Sequence, residues 1–423
     1  LLAAGACVNP NSESSSTVES VLLVAARSCN LEVMQILIEA KAEVNATSAK
    51  GFSPLMEACA MGNVAGVQLL LHHGADVHIR GSHGENALAL AATADQCAAA
   101  EIVGWLLTFN ADVNPSDARK FNPLTIALSA FNMDCIKLLL DAKAQLNPTL
   151  PATRAAVVHA ADLDRVDILQ LLLDAHASPT VEDRMGFTPL VRAAEHGSFN
   201  AVKLLLDVGV DVNAMDSALN AAPLGAATRR GSPELVAMLL AANADVNARH
   251  AAGAPALVCA AQNNRVEIMQ MLLAAGADVD LSDAQGCTAL TYACHRGNVD
   301  IVRVLISAKA SLESRDKSEQ TPLILAARQR HLDIIKILID AGAQLEAQSS
   351  ACQTALLIAA AEGNVEAVKM LIDAKASVNV SDSVLQTPLM LATTKGYRDT
   401  MKLLIDAGAP VNDRRNDGQT ALH

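Results

Sequence analysis

The 423-residue sequence carries 32 Lys and Arg against 45 Asp and Glu, a formal net charge of −13, and is 51% hydrophobic but only 2% aromatic. An acidic balance with so few rings argues against nucleic acid as the partner, because phosphate binding shows a basic footprint and single-strand binding adds stacking aromatics. No run approaches the roughly 18–20 apolar residues of a membrane span, so no insertion into a bilayer is expected.

The chain opens on LLAAGACV. It lacks the basic region of a secretion signal, and its apolar part is too short. Residues 1–8 align instead with residues 272–279 (LLAAGADV), so residues 1–9 read as the tail of a repeating unit. Twelve complete units follow, at 10–45, 46–78, 79–114, 115–147, 148–180, 181–213, 214–247, 248–280, 281–313, 314–346, 347–379 and 380–412. Residues 413–423 begin another, so the expected molecule is one repeat array cut from a longer protein.

One apolar slot marks the register: Leu22, Leu55, Leu88, Leu124, Val157, Leu190, Leu224, Leu257, Leu290, Leu323, Leu356, Leu389 and Leu422. Its spacing is 33 residues except for 36 from Leu88 to Leu124 and 34 from Leu190 to Leu224. The extra residues are placed around 97–99, between the two helices of that unit, and in 214–222, ahead of the helices. Connections accept insertions at little cost. Self-similarity at such a period means stacked units sharing one continuous core.

Residues 186–206 (GFTPLVRAAEHGSFNAVKLLL) show the punctuation within a unit. Thr188 is an N-cap and Pro189 the first helical residue. Residues 190–195 form a short helix, His196 and Gly197 turn the chain, and residues 200–207 form a second helix. Gly209 ends it in a left-handed C-cap. Asp211, Val212 and Asn213 then lead into a projecting loop. The unit at 148–180 lacks the T-P-L start, having Ala155, Ala156 and Val157, and carries Pro148 and Pro151 in its loop, so a distorted finger is expected there. The glycine slot is Gly74, Gly209, Gly276, Gly342 and Gly408, but Asn110 and Asn243 elsewhere, and Lys41, Lys143, His176, Lys309 and Lys375 in the rest. A left-handed lysine costs roughly 1 kcal/mol, a strain that a long stack can absorb.

These residues resemble the ankyrin repeat, whose T-P-L-H-x-A start and G-A-D-V-N ending recur along essentially the whole chain. Thr321-Pro322-Leu323, Thr387-Pro388-Leu389 and Gly276-Ala277-Asp278-Val279 lie close to that pattern. The resemblance implies an all-α solenoid of stacked helix–turn–helix units with short β-hairpin-like loops, curved and elongated. It further implies a protein-binding scaffold or adaptor whose partner docks on the concave side, against loop tips and first-helix ends. The alternative is the target-recognition arm of a larger enzyme, channel or ubiquitin-pathway protein.

Nothing in the sequence points to catalysis, a cofactor or a small-molecule substrate. There is no phosphate-binding glycine loop, no dinucleotide fingerprint, no H-E-x-x-H and no G-x-S-x-G. Cys294 and His295 are adjacent, but neighbours on a helix point in different directions. Nine cysteines form no C-x-x-C, and Cys59, Cys135, Cys259 and Cys294 occupy apolar slots, which suits a reducing, intracellular and cytoplasmic setting. Trp105 fills a second-helix slot that is aliphatic in sister units and is expected to pack in the core. The glycosylation triplets at Asn45 and Asn379 fall where asparagine recurs anyway and read as accidental.

Function is then expected where the copies differ. In the units from 214 to 346 the loop-tip and first-helix slots hold Arg229, Arg230, Arg249, His250, His295, Arg296, Arg315, Lys317 and Arg328. Only Asp216, Asp283 and Asp316 oppose them, so this band is basic within an acidic chain. Arginines clustered in this way suit acidic or phosphorylated protein segments, through charge-assisted and often bidentate bonds. The unit before it is acidic, with Glu182, Asp183 and Glu195. Phe52, Phe121 and Phe187 share one loop position; packing against the neighbouring finger is expected, an exposed aromatic anchor being the alternative. An elongated array should scatter with a radius of gyration well above the roughly 22 Å of a compact chain this long. A compact value would refute the solenoid.

Overall fold

In the computed structural model, residues 9, 19–114, 122–147, 151–218, 220–250, 253–416 and 418–421 are described. The two ends, including the aligned LLAAGACV, and Pro148 lie outside them. In most repeats the first helix begins where a short polar side chain takes up an N–H that the helix leaves free. The Oγ atoms of Ser53, Thr288, Thr321, Thr354 and Thr387 accept from the amide three residues on, and Asn86 and Asn122 do so through Oδ1. Pro54, Pro123, Pro322 and Pro388 follow at the first turn.

Chain contacts divide the molecule into two units, residues Leu1–Ala193 with Ser198–Val210, and Ala194–Gly197 with Asp211–His423. The first holds the pairs α1 (Val21–Arg27) and α2 (Leu31–Glu39), α3 (Pro54–Ala60) and α4 (Val64–His72), α5 (Ala87–Ala91) and α6 (Gln96–Thr108), α7 (Pro123–Ser129) and α8 (Met133–Asp141), and α9 (Pro151–Asp162) and α10 (Val166–Asp174). Helix α11 (Pro189–His196) is shared in sequence between the units, and α12 (Phe199–Asp207) completes the first. The first helices α1, α3, α5, α7 and α9 stack in series, and so do the second helices α2, α4, α6, α8, α10 and α12.

The second unit holds α13 (Pro223–Arg230) and α14 (Pro233–Ala241), strands β1 (Arg249–His250) and β2 (Ala254–Pro255), then α15 (Ala256–Gln262) and α16 (Val266–Ala274), α17 (Ala289–Arg296) and α18 (Val299–Ser307), α19 (Pro322–Arg328) and α20 (Leu332–Asp340), α21 (Ala355–Ala361) and α22 (Val365–Asp373), and α23 (Pro388–Lys395) and α24 (Arg398–Asp406). Odd and even helices again stack as two layers. First helices are buried nearly all round, as Ala355 to Ala360 of α21 are. Second helices bury one stripe, such as Ile301, Val302 and Leu305 of α18, and expose the other. Alanine in the inner layer is what lets neighbouring helices approach closely. The chain is an all-α repeat solenoid, with β1 and β2 the only strands among the described residues.

The projecting fingers are hairpin-like turns. Asp183, Asp283, Asp316, Ser349 and Asp382 each donate their amide to the carbonyl four residues on, and the side chain of each accepts from amides two and four residues on. Successive fingers are then tied to one another, as where Lys317 N–H donates to the Gln285 carbonyl at 2.9 Å.

A second tie recurs at the end of many repeats. The side-chain oxygens of Asn9, Asn45 and Asn114 in the first unit, and of Asn213, Asn247, Asp280, Glu313 and Glu346 in the second, accept backbone N–H groups of the following repeat. The distances are 2.7–2.9 Å. Asn45 is thus engaged by the Asp76 amide at 2.9 Å.

The expected C-cap conformation is present in every copy of that slot, glycine or not. Lys41, Lys143, Lys309 and Lys375 have φ of 64°, 67°, 62° and 74°, His176 has 66°, and Asn110 and Asn243 have 61° and 64°. Two expectations need correction. The extra residues near 97–99 do not lie between helices: they lengthen α6 to 13 residues, against nine in α8, because the alanine-rich run is a strong helix former capped by Asp95. Pro151 is likewise not a loop residue. It starts α9, a 12-residue helix that contains Ala155 to Val157 in its interior, and Thr153 Oγ1 donates to the Asn147 carbonyl at 2.7 Å.

Lysine in a left-handed slot has a measurable consequence. Lys309→Gly should stabilise the array by about 0.5–1 kcal/mol, the left-handed cost less the extra chain entropy of glycine. Gly276 has open space where a Cβ would stand, so Gly276→Lys should cost a similar amount. Urea unfolding midpoints at constant m-value check both, and unchanged midpoints would show that the slot carries no strain.

Candidate partner-binding surface

The basic residues singled out in the sequence come from the last turns of first helices and from the fingers, so the repeat itself brings them to one side of the second unit. Their surroundings differ sharply. Arg229, in the last turn of α13, is ion-paired with Glu195. This contact links the basic band to a carboxylate that the sequence reading placed in the preceding acidic unit. Arg230 lies against Gly197.

Arg249 and Arg315 occupy equivalent positions 66 residues apart and do the same structural work. Arg249 Nη1 donates to the carbonyls of Gly253 at 2.6 Å and Ser282 at 2.8 Å. Arg315 Nη1 donates to the carbonyls of Glu319 at 3.3 Å and Gln348 at 2.8 Å, and pairs with the Glu319 carboxylate at 3.3 Å. Each guanidinium therefore bridges its own finger and the next. Arg296, Lys317 and Arg328 are exposed, and among the described residues none has a carboxylate within ion-pair distance. Among the described residues Arg328 donates to the Gln353 amide oxygen alone, at 3.3 Å. The His250 side chain lies outside the described residues; its backbone pairs with Ala254 in the short β1–β2 ladder.

The opposing aspartates face inward. Asp283 accepts the amides of Gln285 and Cys287 on Oδ1 and the Tyr292 hydroxyl on Oδ2 at 2.8 Å. Asp316 accepts the amides of Ser318 and Gln320 and the Gln320 side chain. Burial and the bond to Asp283 push the Tyr292 phenol up to about 12, so it stays neutral at physiological pH.

One cavity opens among these groups, of about 270 Å³. Tyr292 and His295 of α17 and Leu325 and Arg328 of α19 line it, together with Cys287 and Thr291. Tyr292 and Leu325 are equivalent positions of successive repeats, as are His295 and Arg328. Charge marks the two basic residues in the sequence but not the ring or the leucine. The signal was present in the 33-residue spacing, at a slot two residues after the register leucine.

Phe187 is buried at 9% exposure, with the Arg192 guanidinium 4.4 Å from its ring centroid. Phe52 is half-buried and lies so close to Gly81 of the next finger that a Cβ there would collide with the ring. Neither is presented as an exposed anchor, and Phe121 lies outside the described residues. Trp105 departs from expectation too. It is half-buried rather than enclosed, edge-on to His72 with ring centroids 5.9 Å apart, because this slot lies at the edge of the buried stripe, as the half-buried Leu69 and Leu138 at the same position show. Cys294 is buried, and burial alone drives its thiol far up, whereas His295 is exposed. They form no nucleophile–base pair. Among the described residues no group of His, Cys, Asp and Glu could hold a metal ion, and no helix is long and apolar enough to cross a membrane.

Residues 1–81 and, in overlapping copies, 132–423 match the family profile "Ankyrin repeats (3 copies)". The chain belongs to the ankyrin-repeat family. It is 32% identical over 210 residues to the Ankyrin repeat and KH domain-containing protein mask-1 of Caenorhabditis elegans, which covers 48% of this chain and 8% of that protein. It is 29% identical over 194 residues to the probable E3 ubiquitin-protein ligase XBOS32 of Oryza sativa subsp. japonica, covering 45% of this chain and 38% of that protein. The chain thus matches less than two-fifths of the length of either relative. Ankyrin repeats serve protein–protein interaction, and the fold is typically one of binding rather than catalysis.

The thiols give a direct check on this surface. Burial raises Cys135 to about 12 and Cys259 to about 11, and Cys59 and Cys294 further, so all four are neutral thiols at neutral pH. Alkylation of the native protein at pH 7.5, mapped by mass spectrometry, should label the exposed Cys29 and Cys97 first and reach those four only on unfolding. Early labelling of Cys294 would show that the inner helix layer is open.

Proposed function

We propose that this ankyrin-repeat chain is a scaffold or adaptor that captures an acidic or phosphorylated segment of another protein, on the finger side of its second unit. One observation carries the reading. Arg296, Lys317 and Arg328 stand exposed without an ion-pair partner among the described residues, while the nearby Asp283 and Asp316 are committed to their own fingers. A solvated cation loses little on meeting a carboxylate or phosphate, and the guanidinium fork binds either in two-point fashion. Arg249 and Arg315 hold the fingers in register beneath that surface.

A second reading has support from one relative. XBOS32 is named a probable E3 ubiquitin-protein ligase, and this chain matches 38% of its length. On that reading the same surface is the target-recognition arm of a larger enzyme. The surface chemistry is shared by both readings, and the partner's fate separates them.

The test uses a fluorescently labelled peptide rich in Asp and Glu, a phosphoserine version and a neutral control. The double variant Arg296→Glu with Arg328→Glu should weaken binding of both anionic peptides at least about tenfold, with a loss of salt dependence. Arg229 is a poor choice because reversing it would set two carboxylates against each other at Glu195. Undiminished binding by the double variant would overturn the proposal.

A further inference from the structure

We propose that the cavity between α17 and α19 is a side-chain socket, seating one aliphatic residue of the acidic segment while flanking carboxylates meet Arg328, Arg296 and Lys317. The inference rests on the acidic-partner reading and adds to it a position and a second determinant. At about 270 Å³ the cavity falls just below the roughly 300–1,000 Å³ usual for small-molecule sites, a size suited to a single side chain.

The exposed lining is mostly apolar, and the Thr291 and Tyr292 hydroxyls and the Asp316 carboxylate within it are already bonded. The Tyr292 hydroxyl is bonded to Asp283, which leaves the ring as that residue's contribution. Asp316 also borders the cavity, but its carboxylate takes two backbone amides and the Gln320 side chain. An aliphatic side chain covers that apolar surface with no polar group of its own to desolvate, whereas an anion is met by Arg328. Leu325 supplies the apolar floor at 6% exposure. Arg328 lines the same cavity with its charge free for an anion, so apolar and anionic recognition are joined at one residue. An apolar core with a polar rim is the usual arrangement of a binding interface.

Three labelled dodecapeptides separate the contributions: one rich in Asp and Glu with a central leucine, the same peptide with serine in place of leucine, and a Gly/Ser peptide with the leucine. The acidic leucine peptide should bind the unmodified protein at least about tenfold more tightly than either of the others, the value of one well-buried aliphatic side chain. Cys287→Phe, which fills the cavity from its rim, should abolish the difference between the leucine and serine peptides while leaving the serine peptide unaffected. A second readout needs no variant. Saturating acidic leucine peptide should slow alkylation of the half-buried Cys287 at pH 9 by at least about fivefold, without slowing that of Cys29 or Cys97.

Equal binding of the two acidic peptides, with Cys287 alkylation unchanged, would overturn the socket and leave the acidic-partner reading standing. Equal binding of the acidic and Gly/Ser leucine peptides would overturn the joint recognition. Failure of every acidic peptide to bind would remove the underlying reading and the socket with it.

Discussion

A first helix of seven or eight residues and a second of nine cannot bury enough apolar surface to stay folded alone, and the whole architecture follows from that shortage. Each pair needs its neighbours to cover both faces of the first helix. Alanine-rich inner helices such as α21 are the result, enclosed on nearly every side, while the outer helices keep one polar stripe. Apolar burial is non-directional, however, and would tolerate sliding. Register is supplied by hydrogen bonds that reach from one repeat to the next: the acceptors at Asn213, Asn247, Asp280, Glu313 and Glu346, and the backbone bond from Lys317 to Gln285. Asn, Asp and Glu fill one role there because the role asks only for a carbonyl or carboxylate oxygen in reach of an amide.

That division explains which parts of the fold were legible. Helix starts, C-caps and stacking order depend on local chemistry repeated many times, so Thr321, Pro322 and Gly342 could be placed from spacing alone. The lysines at 41, 143, 309 and 375 adopt the left-handed conformation of their glycine sisters because neighbours on both sides impose it. Where the period breaks, sequence reading fails for a definite reason. An insertion was assigned to a connection because loops are tolerant, yet residues 97–99 extend α6, since an alanine run behind an Asp cap is better helix than loop. Proline suggests a loop, but at the first turn of α9 the missing N–H of Pro151 costs nothing.

The candidate surface was legible in position and not in chemistry. Slot by slot reading located nine basic residues, but a formal charge does not reveal what the side chain already touches. Arg249 and Arg296 look alike in sequence. One donates to two backbone carbonyls and holds fingers together, and the other is exposed with no ion-pair partner among the described residues. Arg229 is neutralised by Glu195, a residue assigned to an acidic neighbour because adjacency in the stack had not been combined with the charge count. Counting charges by unit therefore overstated the free positive charge and missed where it is concentrated.

The same logic bears on how such a chain acquires specificity. A slot that stacks is constrained by two neighbours, whereas a slot two or five residues after the register leucine faces the finger side and can vary. When two consecutive copies vary together, as Tyr292 with Leu325 and His295 with Arg328, they build a feature that neither repeat holds alone. A cavity of this kind is invisible in any single repeat and follows only from pairing residues 33 apart. The exposed cations beside it, without an ion-pair partner among the described residues, matter for the same reason. Asp283 and Asp316 would neutralise them if they faced outward, but finger geometry requires both inside, to order the turn and to hold the Tyr292 hydroxyl. The requirement that keeps the fingers folded is thus also what leaves Arg296, Lys317 and Arg328 open to an anion from outside the chain.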